Sequence, residues 1–142
     1  MSVITQIADA VATSLNGGSF SLPFTAERHY RPVLDLPQLQ ALHVTVVPQG
    51  TTIETAGRSH NQHDCRIDIA VQKKFEKEEP AELDPLMALV EEIADHFRLR
   101  RLDGFAEAAW IKTENVPIYA VEHLEQHRVF TSVLTLTFRV LR

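Results

Sequence analysis

The stretch Asp64–Phe75, DCRIDIAVQKKF, decides the fold of this chain. Every second side chain in it is apolar, and these side chains point to one side: Cys65, Ile67, Ile69 and Val71. The side chains between them point to the other side: Arg66, Asp68, Ala70 and Gln72. A period of two predicts a strand with one buried face, and we expect it to be an inner strand of a sheet.

The strongest helix signal follows this strand, after an acidic connection at residues 76–84. Asp84 followed by Pro85 predicts an N-cap and a first-turn proline. Beyond them apolar residues recur at helical spacing: Leu86, Met87, Leu89, Val90, Ile93, Ala94 and Phe97. We expect this helix to lie across the sheet, to carry the cations of residues 98–101 in its last turn, and to end at Asp103-Gly104.

The other elements follow from the same patterns. A first helix is predicted at Ser2–Leu15, with Ser2 as the N-cap and a stop at residues 16–18. Further strands are predicted at Ala26–Asp35 (an edge or extended strand), Leu42–Val47, Phe105–Thr113 and Val129–Leu141, the last being the longest. Pro37–Ala41 predicts a single turn, and Pro117–Arg128 is expected to be irregular or partly extended. The sum is an α+β fold in one domain, residues 1–142, with a mixed or antiparallel sheet of about four to five strands flanked by two main helices.

The segment Gln49–His63, QGTTIETAGRSHNQH, is polar and contains two glycines. It predicts a long polar hairpin loop at residues 49–63, well beyond the two to five residues that hairpin loops usually take. Two interpretations stay open. One is a surface that orders on meeting a partner, with part of the segment extending the two strands as a projecting arm; the other is an unstructured loop.

Composition limits the classes of function. The formal net charge is -5, which argues against a nucleic-acid binder that neutralises phosphates. No apolar run approaches the roughly 20 residues of a membrane span. The first fifteen residues lack a basic region and include Asp9, so no secretory signal is expected. Cys65 is the single cysteine, so the chain has neither an intrachain disulfide nor a thiolate zinc site to offer.

Two histidine clusters invite a metal or catalytic interpretation, and both fail it. His60, His63 and Cys65 have the spacing H-x2-H-x-C, which matches no zinc site, and the strand alternation turns Cys65 inward. His123 and His127 are four residues apart, but H-E-x-x-H requires an acid directly after the first histidine. The sequence contains no G-x-S-x-G, P-loop or G-x-G-x-x-G motif either. No enzymatic activity, cofactor or metal is predicted.

Four segments together resemble a known family: YRPVLDLPQLQALHVTVVPQG at residues 30–50, RIDIAVQKKF at 66–75, LDPLMALVEEIADHFRL at 83–99 and VFTSVLTLTFRVL at 129–141. In wording and in order of elements, the chain resembles the tail terminator (tail completion) proteins of long-tailed bacteriophages and prophages, the group typified by the lambda tail terminator. The resemblance covers nearly the whole chain. It implies a structural, non-catalytic role in virion assembly.

Such proteins form hexameric rings on the head-proximal end of the tail tube, stop its polymerisation and provide the surface for head joining. The resemblance therefore implies homo-oligomerisation, contacts with the tail tube protein and with a head-completion or neck protein, and a location in the host cytoplasm and then in the neck region of the virion. By position, residues 49–63 correspond to the loop that faces the tube. It implies four candidate contacts there: Glu54, Arg58, His60 and His63.

A head-to-tail ring needs two different faces on each subunit. The proline-rich segment Phe20–Asp35 is one candidate face, with Arg28, Tyr30 and Arg31 as interface residues. The threonine-rich side of the last strand is the other, with Thr135, Thr137 and Arg139. Two alternatives remain: another phage neck protein, such as a head-closure or connector protein, and a small α+β ligand-binding or enzymatic domain.

Overall fold

The computed structural model describes residues 2–32 and 36–142. The helices are α1 (Val3–Asn16), α2 (Pro80–Phe97) and α3 (Val121–His127). The strands are β1 (Ala26–Arg28), β2 (His43–Thr55), β3 (Asn61–Lys74), β4 (Arg101–Leu102), β5 (Phe105–Glu114) and β6 (Val129–Leu141). The α+β prediction is confirmed, although the described residues form six strands rather than four to five.

The six strands form one mixed sheet in the order β1-β2-β3-β6-β5-β4. β1 runs parallel to β2, and all other neighbours are antiparallel. β3 lies between β2 and β6, so the prediction that it is an inner strand is confirmed. With 14 residues against 13, β3 rather than β6 is the longest strand.

Helices α1 and α2 share one core with one face of the sheet. The alternating apolar residues of β3 have no exposed surface, and the inward residues of α1 and α2 pack into the same cluster. Ser14 of α1 and His96 of α2 are joined by a 2.9 Å hydrogen bond. The opposite, outer face of the sheet carries most of the polar side chains of β3 and β6.

The first helix agrees with its predicted limits, because the Ser2 hydroxyl accepts a hydrogen bond from the Thr5 amide and the helix ends at Asn16. The predicted start of α2 at Asp84 is wrong. The helix begins at Pro80 with Glu79 as its N-cap, five residues earlier than predicted, and the Glu82 carboxylate accepts hydrogen bonds from the Glu76 and Lys77 amides. These bonds fix the preceding turn, so Pro85 falls inside the helix.

The end of α2 also differs from the prediction. The helix stops at Phe97, and Leu99 adopts a left-handed conformation with φ 57°. Asp103-Gly104 instead forms the turn between β4 and β5, where Gly104 has φ 82°. The arginines at 98, 100 and 101 therefore lie beyond the helix rather than in its last turn.

Two other segments differ from expectation. The first edge strand pairs only at Ala26–Arg28, and residues 33–35 of the predicted strand lie outside the described residues. The segment expected to be irregular contains α3, whose one buried residue, Leu124, gives no helical periodicity to detect.

The single turn predicted at Pro37–Ala41 is confirmed as a 3-10 turn at Gln38–Gln40. In the part of the chain that the structure describes, no helix is long and apolar enough to cross a membrane.

The burial of β3 leads to a matched pair of substitutions. Ile69 is 0% exposed, whereas Ile53, on the neighbouring strand β2, is 56% exposed. We expect Ile69→Ala to lower the free energy of unfolding by about 2–5 kcal/mol, because it leaves a cavity in the core. Ile53→Ala should change it by less than about 0.5 kcal/mol. Urea unfolding of both variants checks this, and equal losses would contradict the placement of the core.

Candidate functional site on the arm and the outer face

Strands β2 and β3 continue past the core as a paired arm, which we define as residues 49–63. Pairing runs out to Thr55 opposite Asn61, and only Ala56–His60 forms the loop at the tip. The end of β6 accompanies the arm, since the Asn61 and Arg142 backbones exchange two hydrogen bonds of 2.6 and 2.8 Å. The segment therefore extends the two strands as a projecting arm, and the loop is five residues long rather than the fifteen predicted.

A β-bulge marks the point where the arm leaves the core. The register of β2 against β3 shifts between Pro48 and Gly50, which leaves Gln49 as the extra residue. Such a bulge bends the strand and increases its twist. Gly50 has no side chain, and a Cβ there would lie 2.7 Å from a terminal guanidinium nitrogen of Arg66. The glycine thus leaves room for the arginine on the outer face.

The base of the arm is held by a polar network across three strands. Arg66 donates to the side-chain oxygen Oε1 of Gln49 at 3.0 Å and to the Thr52 hydroxyl at 3.1 Å. The Gln49 amide donates to Asp68 at 3.0 Å, and the Thr135 hydroxyl donates to the same carboxylate at 2.7 Å. These bonds link β2, β3 and β6, so they stiffen the junction between the arm and the sheet.

The strongest polar contact on the outer face joins Asp64 of β3 to Arg139 of β6. The guanidinium donates two hydrogen bonds to the carboxylate, of 2.8 and 3.2 Å. The pKa of Asp64 is lowered from its ordinary value, chiefly by the hydrogen bond from Arg139. The carboxylate therefore stays ionised and paired under neutral conditions.

The candidate tube contacts all lie on the arm. Glu54 is exposed on β2, and Arg58 and His60 are exposed in the tip. His63 is half-buried opposite Ile53, on the side of the sheet that faces the core. The structure therefore groups Arg58 and His60 at one end of the molecule and sets His63 back from them.

The candidate interface residues fall into two separate groups. The first group lies at the edge of the sheet, where Arg28 pairs with Asp9. Tyr30 is 84% exposed, and the Arg28 guanidinium lies 5.6 Å from the centre of its ring. Arg31 is also exposed. On the outer face Thr135 and Arg139 already bind Asp68 and Asp64. Thr137 is only 4% exposed, so its side chain offers almost no surface to a second subunit.

The three residues with the spacing H-x2-H-x-C are not arranged as a metal site. Cys65 is buried in the core, and this burial raises the pKa of its thiol, which keeps it protonated. His60 is exposed at the tip of the arm. Within residues 2–32 and 36–142, no group of three or more His, Cys, Asp or Glu side chains is placed to hold a metal ion.

An apolar groove that was not predicted from the sequence lies between α2 and the chain around α3. It consists of two adjoining cavities of about 640 and 380 Å³ that share Asp84, Met87 and Phe130. We call these two cavities the groove. Its lining comes from residues 78–94, 113–125 and 130–134, so no single stretch of sequence contains it. The one local signal is the stripe of α2 that faces it: Asp84, Met87, Ala88, Glu91 and Ala94.

Comparison with solved structures identifies a protein of similar fold. No family model and no curated protein matches the chain. Among solved structures, a chain described as the virion of a native gene transfer agent particle is similar to it, with a TM-score of 0.54 over 99% of this chain and 95% of that chain. The two chains share a fold. At 10% sequence identity, the fold is all that the likeness shows.

The Asp64–Arg139 pair predicts a pH-dependent stability. Because the pKa of Asp64 is lowered in the folded protein, the pair stabilises the fold above the ordinary value of 3.8 and loses this effect as the pH falls through the lower, folded value. We expect Asp64→Asn to lower the free energy of unfolding by about 1 kcal/mol at neutral pH. At a pH well below 3.8, where the Asp64 carboxyl is protonated, the difference in unfolding free energy between the variant and wild type should become smaller.

Urea unfolding at neutral and at acidic pH measures both differences. Asp95→Asn is the matched control, since Asp95 is exposed on α2 and should change stability by less than about 0.5 kcal/mol. A loss for Asp64→Asn that is the same at both pH values would show that the pair does not set the pH dependence.

Proposed function

We propose that this chain is a structural protein of a phage-like particle and that it acts as a tail terminator. In this role, copies form a ring on the head-proximal end of the tail tube, stop tube polymerisation and offer a surface to the head. The observation that carries the proposal is the fold shared with a chain of a gene transfer agent virion over nearly the full length of both chains. The resemblance in the order and wording of its segments points the same way.

The chemistry of the outer face supports a structural role. The carboxylates of Asp64 and Asp68 are both bound, by Arg139 in one case and by Gln49 and Thr135 in the other. A carboxylate that serves as a catalytic acid or base needs an unoccupied side toward its substrate. Pairing of this kind instead fixes strands against one another, which is what a component of an assembly requires.

The arm supports contact with the tail tube. Its base is stiffened by the network around Arg66, and its tip presents Arg58 and His60 on a five-residue loop. A surface that is held in place before binding loses less conformational freedom on binding than a disordered one. We propose that the tip contacts the tube end while the opposite part of the ring meets a head-completion protein, first in the host cytoplasm and then in the neck of the virion.

Replacing the tip tests this role without removing paired residues. We expect the substitution of Gly57–Ser59 by Asn-Gly, together with His60→Ala, to keep the protein folded, because the Ala56 amide already donates to the carbonyl of residue 60 and two-residue turns of this type close such a pair. The variant should lose the ability to cap tail tubes from the same genome, so that tubes grow beyond their normal length. Electron microscopy of tube lengths and a thermal unfolding curve measure the two effects.

Glu107→Ala is the control, since Glu107 is exposed on β5 outside the arm. It should leave capping unchanged. Normal capping by the tip variant would contradict the tube contact. Failure of the wild-type chain to bind tubes, together with binding to the head connector, would favour the head-closure protein of the neck instead.

A further inference from the structure

The groove has an apolar floor and an acidic rim. Five acidic residues line it: Glu78, Glu79, Asp84, Glu91 and Glu125. Among the residues that the structure describes, no lysine, arginine or histidine lines it. Its floor includes Met87, Ile118 and Phe130. The groove therefore suits a partner segment that combines an apolar side chain with positive charge.

One wall of the groove is firmly attached to the sheet. The Asn115 amide donates to the Val133 carbonyl at 2.8 Å and to the Ser132 hydroxyl at 3.1 Å. Ser132 in turn donates to the carbonyl of Ile118 at 2.6 Å. These bonds hold residues 115–118 in place beside β6, so the groove is formed before any partner arrives.

The chain itself carries a segment with the complementary chemistry. Residues 98–101, which we call the arginine loop, read Arg-Leu-Arg-Arg and follow α2 directly. Leu99 is 80% exposed and is held in a left-handed conformation that a leucine rarely adopts. Among the described residues, Arg98 and Arg100 form no ion pair, while Arg101 donates to the Ala106 carbonyl.

We propose that the groove of one copy of this chain binds the arginine loop of a second copy. Leu99 enters the apolar floor, and Arg98 and Arg100 face the acidic rim. Arginines are enriched among the residues that dominate binding at protein interfaces, and apolar contacts around them exclude water. Opposite charges on the two patches also speed their encounter and oppose wrong pairings.

A second copy is favoured because the two patches do not meet within one chain. Leu99 is 80% exposed, and among the described residues neither Arg98 nor Arg100 pairs with a carboxylate of the rim. Each chain thus presents both an acidic groove and a basic loop. Antiparallel docking closes a two-fold pair, and repeated docking in one direction generates a ring.

This contact rests on the ring of the proposed function and deepens it by naming the surfaces through which two copies meet; its test involves no tail tube. It also differs from the interface candidates given by the sequence. Thr135 and Arg139 are already bound within their own subunit, and Thr137 is buried. Among the described residues, Arg98 and Arg100 of the arginine loop form no ion pair of this kind.

A charge exchange tests the contact. Glu91 and Arg98 are both exposed, so neither Glu91→Lys nor Arg98→Glu should affect folding, and thermal unfolding curves check this. Sedimentation and mass photometry of the full chain then measure self-association. We expect each variant alone to associate at least about tenfold more weakly than wild type, because like charges then face each other. An equimolar mixture of the two variants should recover association, because each new charge meets its opposite.

Two further variants separate this contact from the others. Glu107→Lys reverses an exposed acid outside the groove and should leave association unchanged. Tyr30→Asp disrupts the rival interface at the edge of the sheet and should also leave it unchanged. A wild-type chain that stays monomeric at all concentrations would overturn the inference. So would association that survives both charge variants but is lost in Tyr30→Asp.

The occupant of the groove is tested in the same way. If the monomeric chain binds tail tubes, and Glu91→Lys abolishes that binding without changing self-association, the groove belongs to the tube protein and the inference is wrong. Self-association is measured without tubes, so a chain that fails to cap tubes can still confirm the contact between groove and arginine loop. Conversely, a chain that does not self-associate through the groove can still bind the tube through its tip.

Discussion

The pairing register of β3 with its two neighbours is the constraint on which the rest of the structure depends. It places Val46, Ile69 and Leu134 side by side across three strands, all of them buried. A slip of one residue would turn the whole apolar row to the opposite face. The same register sets Asp64 against Arg139 on that face. Burial of the core and pairing of the outer charges therefore favour the same register, and a shifted register would lose both.

The arm begins where the core ends, and different interactions hold it. Up to Cys65 the inward side of β3 is covered by the core, whereas residues 51–61 are exposed on every side. Beyond this point the strands are stabilised by backbone pairing, by the network around Arg66 and by the end of β6. Because none of these depends on helix packing, the tip can change in sequence without disturbing the core. A recognition surface that must fit one partner is best placed on such an element.

The sequence predicted elements well where one face is buried over many residues. The alternation of β3 and β6 and the periodicity of α1 are of this kind. It failed where two local signals competed or where burial was slight. Asp84-Pro85 has the chemistry of a helix start, but the bonds that Glu82 makes to the preceding turn moved the start to Pro80. The candidate contacts on the arm were placed by resemblance, whereas the groove is assembled from three separate segments and leaves almost no local signal.

The helix dipole explains part of the distribution of charge along α2, but not the features at its middle and just beyond its end. Acidic residues near the start of a helix and basic residues near its end complement the helix dipole, and this alone favours Glu82 at one end and Arg98 just beyond the other. The dipole does not act on Leu99, which gains nothing from exposure in a left-handed conformation. Nor does it explain why Glu91, in the middle of the helix, borders an open apolar groove. An exposed leucine between arginines and an apolar groove both leave apolar surface in contact with water in an isolated subunit, and the proposed docking of one copy on another would bury both.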